Sequence, residues 1–89
     1  MANTYNTVSV GVTAVAVVAA NTWRRGATIF NNGSVTIYVG PDASVTTANG
    51  IPIGNGGSYD FNGFEVYKGT IYGISGTASQ DIRYFEWTK

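Results

Sequence analysis

The chain contains no leucine and a single glutamine, yet it carries ten valines and seven isoleucines. Leucine, glutamine, glutamate and lysine fill helices, whereas β-branched and aromatic side chains suit a pleated, half-buried surface. Twelve glycines supply turns and bulges. Together these choices predict an all-β chain: a small antiparallel β-sandwich or barrel, jelly-roll-like, of about seven or eight short strands.

The order of the residues agrees. Val8, Val10 and Val12 alternate with Ser9, Gly11 and Thr13, and Ala14 to Ala20 continues as an apolar run that reads as a short buried strand. Gly26 to Asn31 and Ser34 to Gly40 are strand-like and flank Asn32-Gly33, which predicts a hairpin. In the second of these strands Val35, Ile37 and Val39 share a face. Pro41-Asp42 and Asn49-Gly50 read as turns on either side of a short strand at Ser44 to Thr47. Pro52 confines Ile51 to Ile53 to a sheet edge, and Gly54 to Gly57 is a loop. Ser58 to Phe61, Phe64 to Tyr67 and Thr70 to Ser75 follow as strands, with Asn62-Gly63 a further turn. In the last strand Ile82, Tyr84 and Glu86 face one way, and Arg83, Phe85 and Trp87 the other. Residues 1–89 read as one domain, with 1–7 an N-terminal arm.

A domain of 89 residues buries only about 60–65% of the surface its unfolded chain exposes, so small folds usually add disulfides, a metal or partners. Cysteine and histidine are both absent. Only 11% of residues are charged, with a formal net charge of +0, whereas a free monomer carries more charge to stay soluble and to guard its sheet edges. Part of the surface is therefore expected to be covered by a partner. The absence of a basic excess argues against nucleic acid. The apolar stretch from Val8 to Ala20 is too short for a membrane span, and it lacks the preceding basic residues of a signal peptide.

Without histidine or cysteine, Ser-His-Asp and Cys-His catalysis cannot be built. The carboxylates Asp42, Asp60, Glu65, Asp81 and Glu86 read as turn and strand-face ions, and their spacing fits no calcium loop. No cofactor is expected. The candidate structural or interface residues are Trp23, Arg24, Arg25, Glu86 and Trp87. A guanidinium forking onto Glu86 would tie the early chain to its end, and an Arg25–Glu86 pair, inside one subunit or between neighbours, is expected; the alternative is a pair of exposed arginines.

The run Ala19-Ala20-Asn21-Thr22-Trp23-Arg24-Arg25-Gly26-Ala27-Thr28-Ile29-Phe30-Asn31-Asn32-Gly33-Ser34 resembles a pattern in small bacteriophage structural proteins. Ile37 to Gly40, Val45 to Ile53, Gly69 to Ser75 and a closing strand with Glu86 follow in similar order. The resemblance implies a capsid decoration or cement protein, or a head fibre protein. It would be a homotrimer seated on the major capsid protein at the outer face of the virion. The resemblance brings no catalytic residues. The alternative is a carbohydrate-binding or adhesin-like module of a fibre or tail, which would show coplanar exposed aromatic rings near loop ends.

Overall fold

The computed structural model describes residues 3–62 and 66–88. Eight strands run in chain order: β1 (Asn3–Val10), β2 (Val15–Val18), β3 (Arg24–Asn31), β4 (Ile37–Gly40), β5 (Ile51–Ile53), β6 (Ser58–Asn62), β7 (Ile71–Ser75) and β8 (Gln80–Thr88). They form two four-stranded antiparallel sheets, one ordered β1-β8-β3-β6 and the other β2-β7-β4-β5. The pairs β4–β5, β3–β6, β2–β7 and β1–β8 are nested. The chain is thus one long hairpin, with its tip between β4 and β5, rolled into a sandwich. This is the jelly-roll arrangement expected from composition.

Between the sheets lies a core of Val10, Ile29 and Ile82 from the first sheet against Val17, Val18, Ile37, Val39, Ile53 and Ile71 from the second. Gly73 lets the sheets close: a Cβ there would meet Val17 Cγ2 at 2.9 Å and Val10 at 3.6 Å.

The rolled topology explains several departures from the sequence reading. Asn32-Gly33 makes no hairpin, because β3 and β4 belong to different sheets. The pair turns a corner organised by Asn31, whose buried amide donates to Val35 O and Ile53 O at 2.8 Å each and accepts Gly33 N–H at 2.9 Å. Val35 precedes β4, and only Ile37 and Val39 of the expected face are buried. The strand around Val8 stops at Val10, and Val12 beyond Gly11 is exposed. Residues 3–7, read as an arm, belong to β1 and pair with β8.

Of the run from Ala14 to Ala20, read as a buried strand, only Val15–Val18 is one, and Ala16, Ala19 and Ala20 are exposed. A bulge between Ala16 and Val18 turns the consecutive Val17 and Val18 both inward. Ser44 to Thr47 is not a strand. Thr46 N–H bonds Asn49 Oδ1, Thr46 Oγ1 takes Ala48 and Asn49 N–H, and Thr46 O takes Gly50 N–H. Side chains capture the backbone there before a ladder can form. Of the strand expected at 64–67, Phe64 and Glu65 lie outside the described residues, while Val66 and Tyr67 are in a loop. Gly63 of the Asn62-Gly63 turn is likewise outside them.

Candidate functional site

The five candidate residues do not form one site. Arg24 and Glu86 are buried together; Arg25 is exposed; Trp23 is 62% exposed and Trp87 half-buried on the outer face of the β1-β8-β3-β6 sheet, whose longer strands make it the larger of the two.

Counting alternation back from the inward Ala27 would turn Arg25 toward the interior. A bulge in β3 changes the parity: Arg24 pairs with Thr88 and Gly26 with Trp87, so one extra residue intervenes. Arg24 therefore points in and Arg25 out, and the expected Arg25–Glu86 pair is an Arg24–Glu86 pair. Arg24 Nε donates to Glu86 Oε2 at 2.7 Å. One terminal nitrogen donates to Tyr67 O at 2.7 Å and Gly69 O at 3.0 Å, and the other to Ala19 O at 2.7 Å. Asn21 Nδ2 reaches Glu86 Oε1 at 3.4 Å, and Asn21 N–H bonds Lys68 O. This hub staples the β2–β3 loop and the segment before β7 to β8. A desolvated ion pair holds only when its remaining hydrogen-bonding positions are filled, and here they are; no buried side-chain nitrogen or oxygen among the described residues lacks a partner.

A second polar cluster, which sequence reasoning missed, closes the opposite end of β3 and β8. Gln80 Oε1 accepts Ser34 N–H at 2.7 Å and Val35 N–H at 3.1 Å, beside the Asn31 amide already described. The signal was available: Gln80 is the chain's only glutamine and opens a strand.

On the outer face of the larger sheet, Tyr5, Phe85 and Trp87 form an aromatic row. Tyr5 and Phe85 stack with centroids 5.0 Å apart and planes at 20°, and Phe85 meets Trp87 at 5.4 Å and 36°. The indole lies across bare backbone at Gly26, where any Cβ would collide with it. Nearly parallel rings this close overlap face to face rather than lie side by side in one plane. The row sits on the sheet face, and Tyr5 remains 76% exposed.

Asp42, Asp60 and Asp81 do not converge, and no three potential metal ligands gather among the described residues. A shallow cleft of about 400 Å³ beside the 41–50 turn has Asp42 as its one carboxylate, and Ser44 bonds that side chain. Those bonds hold the Asp42 carboxyl below its ordinary value. The hydrogen bond from Asn32 does the same for Asp81, with a smaller contribution from Arg83.

No protein-family model matches the chain, and no curated protein matches it. Among solved structures, it is similar to a protein of Bacillus endospore appendages, which form a novel family of disulfide-linked pili. The TM-score is 0.56 at 13% identity, covering 98% of this chain and 85% of that one. At that identity the likeness is one of fold.

Proposed function

We propose that this chain is a non-enzymatic structural subunit that works by packing against other protein surfaces in an extracellular or virion assembly. The observation that carries the reading is the outer face of the β1-β8-β3-β6 sheet. It presents Tyr5, Phe85, Trp87 and the 37%-exposed Phe30 on a chain only 11% charged. Exposed aromatic rows of this kind are contact surfaces. The fold shared with a pilus protein supports the same class of role. Without cysteine this chain has no disulfide to offer a neighbour, so its contacts differ in kind from disulfide-linked ones.

Within that class, the resemblance of residues 19–34 and the following segments to phage structural proteins favours a capsid decoration or cement protein. Its partners would be the major capsid protein and its own copies. Many weak contacts would then add by multivalency. The overlap of Tyr5 with Phe85 disfavours the carbohydrate-binding alternative, because the facing sides of those rings are occupied by each other.

The test is to add purified protein to intact shells that lack it and heat them. Saturable binding and a raised disruption temperature are expected, both reduced by replacing Phe30 and Trp87 with serine. Shells that neither bind the protein nor gain heat resistance from it would refute the cementing role.

A further inference from the structure

The four sheet edges of the sandwich are not alike. β5 is three residues long and contains Pro52; β2 is four residues long and bulged; β6 carries the exposed Asp60 at its centre. Shortness, proline, bulges and charge are the devices by which sheet proteins keep edges from pairing with other chains. β1 has none of them. It is eight residues long with no charge and no proline, and it spans about 27 Å at the usual rise per residue. Among the described residues the Asn6 side chain lies along it, taking the Thr7 N–H at 2.8 Å.

We infer that β1 is a pairing edge and that its occupant is β1 of a second copy, antiparallel about a two-fold axis. This rests on the assembly reading above and names one partner for it.

Three observations select a second copy. First, the aromatic row runs up to this edge and ends in the exposed Tyr5, so a two-fold would join two rows into one continuous strip. Aromatic neighbours across strands favour such joining. Second, the charges nearest the edge on the same face, Arg83 and Asp81, already neutralise each other at 3.2 Å, so two copies meet without like-charge repulsion. Third, both outer faces stay on one side only if directly opposed residues have numbers that sum to an even value. Centring the pairing on Asn6 satisfies this, uses residues 3–9, and sets Tyr5 of one copy opposite Thr7 of the other with the two tyrosines as diagonal neighbours.

A single strand-edge contact buries less than the roughly 1,200 Å² of a stable interface. The expected complex is a weak, concentration-dependent dimer that gains strength only in an array.

The test uses the whole chain in two ways. Sedimentation over a concentration series should show a monomer–dimer equilibrium, weakened about tenfold or more by Tyr5→Lys, which puts a charge on an exposed position of the edge. Independently, Asn6→Cys should give a disulfide-linked dimer on mild oxidation. Directly opposed antiparallel residues sit about 4.5–5.5 Å apart at Cα, within disulfide reach, and the chain has no other cysteine. Asp60→Cys, on the opposite edge of the same sheet, should not link. A protein monomeric at all concentrations overturns the proposal. So does an oligomer, trimeric or otherwise, that Tyr5→Lys leaves intact and Asn6→Cys does not link. Should Tyr5→Lys misfold, the cysteine experiment decides alone. Shell binding by a chain that does not pair would sink this proposal and spare the assembly reading; β1-paired dimers that ignore shells would refute the cementing role and spare this proposal.

Discussion

The two ends of β3 and β8 are closed by polar side chains of opposite character. At one end Arg24 and Glu86 form a buried ion pair, and the guanidinium gathers carbonyls from three loop positions. At the other end the neutral amides of Asn31 and Gln80 bind chiefly backbone groups, those of the corner, of β5 and of the β7–β8 turn, with the Ser34 hydroxyl beside them. Both saturate their hydrogen bonds, but they fail differently. Removing half of an ion pair strands a buried charge, whereas removing an amide strands only dipoles. The charged end should therefore be the more brittle, although both ends tie a similar amount of chain.

Arg24→Met gives the largest expected effect. It leaves Glu86 buried without its cation, together with the carbonyls of Ala19, Tyr67 and Gly69, and should cost about 3–5 kcal/mol, read by urea unfolding. Arg24→Lys should restore only a fraction, because an ammonium cannot reproduce the fork. The double variant Arg24→Met/Glu86→Leu sharpens the point. It removes the stranded charge and should recover part of the loss. Full recovery would show that the three carbonyls contribute nothing, which would break the account of the hub as a staple.

Asn31→Ala comes next. Two buried carbonyls, Val35 O and Ile53 O, lose their donors, for an expected loss of about 2–3 kcal/mol in the same unfolding experiment. A loss equal to or above that of Arg24→Met would invert the comparison.

The ends also differed in how legible they were beforehand. Absence of leucine, alternating Val and Ile, and Pro52 were enough for the all-β sandwich and its β5 edge. The opposed faces of residues 82–87 emerged as expected, because a regular strand has period two. What failed did so where that period breaks. The bulge at Arg24–Gly26 exchanged the two arginines, so the ionic hub was anticipated in kind and in Glu86 but assigned to the wrong neighbour. The neutral hub went unseen because Asn-Gly is equally suited to a hairpin and to a corner. Only the rolled topology, set by pairings of distant strands, decides between them.

Acid provides a smaller test, at Asp81 of the neutral end and at Asp42 in the turn that follows β4. The folded state holds Asp81 and Asp42 below their ordinary 3.8, chiefly through bonds from Asn32 and Ser44. A carboxylate depressed on folding contributes stability that is present above its unfolded pKa and lost as pH falls through the folded one. Stability should thus decline modestly as pH drops below about 4. Asn32→Ala should remove most of Asp81's part of that decline, seen as an upward move of the midpoint at which its carboxyl resonance titrates in NMR. An unmoved midpoint would mean the corner does not hold that carboxylate.

The smallest effect is chemical. Deamidation of an Asn-Gly pair begins when the glycine nitrogen attacks the asparagine Cγ and ammonia leaves; water then opens the cyclic imide to aspartate or isoaspartate. At the neutral end both glycine nitrogens in question are engaged by Asn31: Gly33 N–H donates to its Oδ1 at 2.9 Å and Gly56 N–H to its backbone oxygen at 2.8 Å. A nitrogen held in a hydrogen bond is poorly placed to attack, so both Asn32 and Asn55 should deamidate slowly in the folded chain at mildly alkaline pH. Of these two acceptors, Asn31→Ala removes only the side-chain one. Peptide mass spectrometry of that folded variant should show faster conversion at Asn32 and little change at Asn55. Equal acceleration at both would mean that the whole corner had loosened, and that the amide holds the end together rather than one bond within it.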